Sequence, residues 1–118
     1  MQLLLDTHAL LWWLFDNPAL SAPARTALST RENTVFVSRA SAWEISTKWQ
    51  LGRLPERVAE AGFDALPISL AHAGAAGALA VAHREPVDRM LIAPATLEGM
   101  VLVTRDEKIS RACAHTGW

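Results

Sequence analysis

Four short apolar runs recur along the chain: Leu3-Leu4-Leu5, Val35-Phe36-Val37, Leu66-Pro67-Ile68 and Val101-Leu102-Val103. Runs this short, with no polar alternation, read as strands buried on both faces, as inside a parallel sheet. The proline in the third marks an edge strand or a strand start. The segments between them carry helix signals. Ala9 to Phe15 is apolar on every face, so a helix there is buried all round or covered by another chain. Asp16-Asn17-Pro18 stops it. Ser21 with Pro23 starts a second helix, to about Ser29. Ser38 and Ser41 offer N-caps for a third, to about Leu51, with Gly52 just past its end. Pro55 opens a short helix that ends by Gly62. Ser69 caps a helix that Gly74 and Gly77 weaken, and Pro86 opens one that runs to Leu97 and stops at Gly99. A last helix follows the fourth strand, to about Ala112.

The predicted order is β-α-α-β-α-α-β-α-α-β-α. That is an α/β chain with a central parallel sheet and right-handed crossovers. The helix from Pro86 must start at the carboxyl edge of the sheet, and so must the helix from Ser69. Joined by a brief connection, they cannot both be long. The helix from Ser69 is therefore expected to be short, with 78–85 returning irregularly to the edge. The tail from Cys113 to Trp118 lacks the apolar alternation of a strand. The sheet is expected to have four strands, and five only if that tail pairs.

At 118 residues the chain is expected to be one domain, 1–118, with a core that needs no staples. A hydrophobic fraction of 51% against 19% charged leaves apolar surface for a partner. The net charge of −1 gives no sign of nucleic acid from composition alone. Cys113 is the single cysteine and can form no intramolecular disulfide, which fits a reducing cytoplasm. No secretory leader is expected before Asp6, and no apolar stretch is long enough to span a bilayer.

Candidate chemistry lies in the acids. Asp6, Glu44, Asp88 and Asp106 all map to strand ends or helix starts on one rim of the sheet, where ligands collect in open α/β folds. Each has an ordinary explanation. Asp6 or Thr7 can cap the first helix. Ser41-Ala42-Trp43-Glu44 has capping-box spacing. Asp88 complements a helix dipole and Asp106 can cap the last helix. Four separate elements each delivering an acid to one edge is harder to attribute to capping. Two carboxylates ~4 Å apart repel by roughly 4 kcal/mol at an effective dielectric of ~20. Such a cluster takes up protons or a cation. Oxygen-only donors favour Mg²⁺ or Mn²⁺, and such ions suit in-line phosphodiester hydrolysis. Arg39, Arg84, Arg89 and Arg105 lie beside the acidic segments and would offer a phosphate-binding rim, or else pair with the acids as solvated helix-end residues. Thr104 and Thr7 could orient carboxylates, though capping is the simpler role for Thr7. His8 and His83 read as surface or packing histidines, and Trp12, Trp13, Trp43 and Trp49 as core or partner-contact residues.

Leu4-Leu5-Asp6-Thr7-His8-Ala9-Leu10-Leu11-Trp12, Val37-Ser38 with Trp43-Glu44-Ile45, His83-x-x-Pro86-x-Asp88-Arg89-Met90-Leu91-Ile92-Ala93, and Val103-Thr104-Arg105-Asp106 together resemble the PIN-domain ribonucleases. Within them, the chain is similar to the VapC-type toxins of bacterial toxin–antitoxin pairs, and the resemblance covers nearly all of it. It implies a PIN-like three-layer fold with a parallel sheet flanked by helices. It implies an acidic Mg²⁺/Mn²⁺ site on Asp6, Glu44, Asp88 and Asp106, with Asp6, Asp88 and Asp106 as metal ligands and Thr104 supporting. It further implies endoribonuclease activity on RNA of the tRNA or rRNA class, homodimerisation, and a small antitoxin partner. Two departures stand out. Val87 replaces the usual phenylalanine of Pro-Phe-Asp-Arg. Pro94 falls inside a helix where glutamine is common, and should kink it. Two other readings remain open. One is a non-catalytic interaction module on the same fold that binds an antitoxin. The other is a phospho-accepting pocket, which would need an acid at His8 or an adjacent acid pair with a late lysine, and the chain has neither.

Overall fold

Leu3, Leu4 and Leu5 each have 0% exposure, as a central strand covered on both faces requires. They belong to β1 (Gln2–Leu5). The computed structural model describes residues 1–79, 85–112 and 116–118. The remaining elements are α1 (Thr7–Leu14), α2 (Ala22–Ser29), β2 (Thr34–Ser38), α3 (Arg39–Lys48), α4 (Leu54–Glu60), β3 (Asp64–Leu66), α5 (Leu70–Ala78), α6 (Pro86–Glu98), β4 (Val101–Val103), α7 (Glu107–Ala112) and β5 (Thr116–Gly117). The strands form one sheet in the order β3-β2-β1-β4-β5, with every pair parallel.

Side chains alternate across β1 and divide the core in two. Leu3 and Leu5, with Val35, Val37 and Val103, pack against α1, α2 and the start of α4. Leu4 and Leu102 face the other way, against Val87, Leu91, Ile92 and Ala95 of α6 and Ile109 of α7. The result is the three-layer arrangement expected, with helices on both faces of the sheet. No helix among the described residues is long and apolar enough to cross a membrane.

Several boundaries differ from expectation. β3 is Asp64–Leu66, not Leu66 to Ile68. Leu66 pairs with Ser38, and the next residue, Pro67, has no N–H to extend the ladder. α3 ends at Lys48, short of Leu51. The left-handed turn after it falls on Gln50 (φ 50°), not on Gly52. The tail does pair: Thr116 and Gly117 sit in register with Leu102 and Val103, so the sheet has five strands. A two-residue strand leaves no room for alternation, so the sequence carries no sign of it. Pro94 is buried inside α6 and the helix runs on past it to Glu98. α1 is less enclosed than an all-apolar helix would suggest. Ala9, Leu10 and Leu11 are buried, Trp12 to Leu14 partly so, and Phe15 is 59% exposed beneath the Arg57 guanidinium.

α5 runs nine residues, capped by Ser69, whose Oγ accepts from the His72 N–H at 3.0 Å. The expected irregular return lies mostly in 80–84, outside the described residues. The C-terminal end of α5 is held by Arg89 from α6. Its Nε donates to the Ala76 carbonyl at 2.9 Å and its Nη2 to those of Gly77 (3.2 Å) and Leu79 (3.0 Å). These are carbonyls that a helix end otherwise leaves unsatisfied. Arg89→Met should cost ~1–3 kcal/mol by leaving partly buried acceptors unpaired. Hydrogen exchange should then speed up across 70–78 more than in β1. Arg89→Lys should recover only part of the loss, since an ammonium lacks the planar fork.

Candidate active site

β1 and β4 are neighbours, but the chain leaves β1 toward β2 and leaves β4 toward β5, on opposite sides. A crevice opens beyond the carboxyl ends of strands at such a reversal. Asp6 follows β1 and Thr104 follows β4. The Asp6 N–H donates to the Val103 carbonyl at 3.1 Å and extends the ladder past the last strand residue. Its carboxylate is 5% exposed and held at both oxygens. Oδ1 accepts from the Ala9 N–H at 2.6 Å, capping α1, and Oδ2 accepts from the Thr104 hydroxyl at 2.5 Å. The Thr104 Oγ1 accepts in turn from the Asp106 N–H at 3.0 Å. Asp106 is exposed, and its Oδ1 accepts from the Lys108 N–H at 2.8 Å at the start of α7.

On the other side stands α3. Its N-cap is Ser38, whose Oγ accepts from the Ala40 N–H at 3.1 Å. Ser41 therefore lies within the helix, fully buried, and accepts from the Thr7 hydroxyl at 3.1 Å. Two expectations fall with this. Thr7 does not cap α1, since Asp6 does, and it ties α1 to α3 instead. Glu44 is the sixth residue of α3, too far along to close a capping box. Its side chain is buried, and Oε2 accepts from the Lys48 ammonium at 3.0 Å. Asp88, partly buried, occupies the first turn of α6.

Asp6, Glu44, Asp88 and Asp106 line one cleft of about 220 Å³, together with Thr7, His8, Lys48, Glu85 and Ile109. All four acids singled out in the sequence are thus brought together. Glu85 and Lys48 were missed. Glu85 is the N-cap residue of α6, so the reasoning that placed Asp88 at the edge applies equally to it. Lys48 follows Glu44 by four residues, the spacing of a helical ion pair. Of the four arginines, none among the described residues lines the cleft. Arg39 and Arg105 are exposed and neither lines the cleft, and the Arg105 Nη1 donates to the Ala19 carbonyl at 2.7 Å. Arg89 is engaged with α5, as described. Arg84 and His83 lie outside the described residues. His8 is exposed on the cleft wall, with ring contacts to Trp12 and Trp49. Trp43, 64% exposed, is not a core residue.

Burial pushes the Asp6 carboxyl above the usual aspartate range, and the Asp88 charge adds to this. The hydrogen bonds from Thr104 and Ala9, with the charge of His8, oppose the shift without cancelling it. Lys48 is raised, first by its hydrogen bond to Glu44, then by the charges of Glu44, Glu85 and Asp88. A site that resists ionising its buried acid is one a cation would relieve. Every acidic donor here is an oxygen, as Mg²⁺ or Mn²⁺ prefers. Among the described residues, no three His, Cys, Asp or Glu side chains converge to hold an ion between them. The carboxylates that line the cleft are nonetheless the donor chemistry a hard ion such as Mg²⁺ takes together with water.

The raised Asp6 pKa has a consequence for stability. Between its ordinary value and its folded value, the folded chain keeps a proton that the unfolded chain has lost. Stability therefore falls as pH rises through that window. In metal-free buffer at neutral pH, Asp6→Asn should melt above the parent protein. The gap should close below about pH 4, where unfolded aspartate is itself protonated. Thermal melts of both proteins across pH 3.5 to 8 check this.

A family model described as the PIN domain matches residues 3–114. Among solved structures, the chain is similar to a chain of VapBC2 from Rickettsia felis, crystallised with a DNA fragment from its promoter. There the TM-score is 0.69 at 16% identity, covering 95% of this chain and 93% of that one. It is also similar to a chain of a toxin–antitoxin complex from Klebsiella pneumoniae, with a TM-score of 0.70 at 24% identity, covering 98% and 95%. VapBC-1 from nontypeable Haemophilus influenzae gives 0.69 at 15%, covering 100% and 96%. No curated protein sequence matches. At these identities the structural likenesses speak for the fold alone. The family model, however, runs from β1 through α7 and takes in every acid of the cleft, and the chain belongs to the PIN domain family.

Proposed function

We propose that this chain is a metal-dependent endoribonuclease and the toxin of a type II toxin–antitoxin pair, acting as a single domain over 1–118. The observation that carries the reading is the meeting of Asp6, Glu44, Asp88 and Asp106 in one cleft at the strand reversal, with Glu44 free of any capping role. Membership in the PIN family supports it, since PIN domains are generally nucleases that use divalent metals. The likeness to chains of VapBC and toxin–antitoxin complexes supports a small antitoxin as partner. RNA of the tRNA or rRNA class, a homodimer and a cytoplasmic setting belong to the same reading.

Asp6, Asp88 and Asp106 would hold Mg²⁺ or Mn²⁺, with Glu44 as the fourth acid of the reaction. Such an ion supplies Lewis-acid polarisation of the phosphoryl group and a nucleophile at neutral pH. The chain supplies the positioning. Asp6 cannot swing, because one oxygen is fixed by the Ala9 N–H and the other by Thr104. Thr104 donates its one proton to Asp6 and accepts from the Asp106 backbone, so the ends of β1 and β4 keep a set separation. Glu44, at the cleft wall, would orient an attacking water.

Antitoxin-free protein should cut total cellular RNA into discrete fragments in Mg²⁺ or Mn²⁺ and leave it whole in EDTA. Asp6→Asn and Asp88→Asn should each abolish cutting. Intact RNA from folded, metal-saturated protein would instead support the non-catalytic module. Thr104→Val keeps the shape of the side chain but removes the hydroxyl. It should lower the cleavage rate roughly 10–100-fold, the usual cost of losing a group that orients a metal ligand. Thr104→Ser should retain most of the rate.

A further inference from the structure

Lys48 is the one lysine or arginine among the described residues that line the cleft. Its ammonium is 3.0 Å from Glu44 Oε2, and the two are one helical turn apart on α3. The Glu44 side chain is 9% exposed and that of Lys48 is 58% exposed, so the pair spans from the buried wall to the mouth. The charge of Lys48 also meets Glu85 and Asp88, which the cleft brings to it from α6. Glu44 therefore does not face the cleft as a bare carboxylate. A second divalent ion at Glu44 would have to displace this ammonium or bear its repulsion.

We propose that Lys48 stands in for a second metal ion. The cleft takes one divalent cation, on the side of Asp6, Asp88 and Asp106, and the Lys48 ammonium beside Glu44 supplies the second positive charge toward a non-bridging phosphate oxygen of RNA. This rests on the metal-dependent reading above. It sets Glu44, which holds the lysine, apart from Asp6, Asp88 and Asp106, which would hold the ion. A compact ammonium on a flexible stem suits the role, since it can turn from carboxylate to phosphate without leaving the cleft.

The test is Mn²⁺ uptake by the full chain, followed by calorimetry and by the electron spin resonance signal of free Mn²⁺. The wild-type protein should bind one equivalent. Lys48→Met should bind two, because Glu44 is released and the repelling charge is gone. Lys48→Arg, which keeps the charge, should return to one. The Lys48 side chain is mostly exposed, so these changes leave the core intact, and a melting curve for each variant verifies it. Two equivalents in the wild type, or one in Lys48→Met, would overturn the proposal while leaving a metal-dependent enzyme in place. No uptake by either protein would remove the metal-dependent reading and this proposal with it.

Discussion

Asp6 is a carboxylate with 5% exposure, set directly after three leucines with none. Burying such a group is costly, and its raised pKa registers that cost. What makes the burial tolerable is local. The Ala9 N–H and the Thr104 hydroxyl each meet one oxygen, and the backbone N–H of Asp6 closes on Val103. Those three bonds draw on α1, β4 and the loop beyond β4. The sheet order, the first helix and the position of Thr104 are thus all conditions for one ionisable group. The same bonds that stabilise the fold around Asp6 aim its carboxylate into the cleft. A buried carboxylate that disfavours its own charge is one that a nearby positive charge would relieve.

The architecture was legible because a parallel sheet writes itself in unbroken apolar runs. Leu3–Leu5, Val35–Val37 and Val101–Val103 all became strands, at the places their composition marks. β3 was misplaced by two residues because its apolar content is slight. Asp64 and Ala65 are exposed at the sheet edge, and only Leu66 of the expected run pairs. β5 was invisible because two residues of backbone pairing demand nothing of side chains. Helix ends behaved similarly. Gly52 is an ordinary stop signal, yet Gln50 takes the left-handed turn two residues before it.

The acids of the cleft were legible for a reason separate from their chemistry. Strand ends and helix starts can be placed from sequence, and in a parallel sheet these share one rim. Cations are harder to place. Arginine and lysine have long stems, and a position near an acidic segment does not say where the head group goes. Arg89 reached the carbonyls of α5 and Arg105 reached Ala19, each satisfying backbone acceptors. Lys48, one turn past the expected acid, turned inward to Glu44. Proximity in sequence favoured the arginines, whereas helical periodicity favoured the lysine, and periodicity was the better guide.

Capping and function are not alternatives at this edge. Asp6 caps α1 with one oxygen and meets Thr104 with the other. Asp106 accepts backbone N–H groups at the start of α7, and Asp88 sits in the first turn of α6. In each case the positive end of a helix stands beside the acid and offsets part of its charge. A parallel α/β sheet directs helix N-termini to the strand carboxyl edge, so it supplies that compensation wherever acids gather there. Glu85, at the N-cap position of α6 without a side-chain cap bond, is exposed and screened by water. Glu44 has neither resource, being buried and two turns into its helix. It is the acid of this cleft that carries its own lysine.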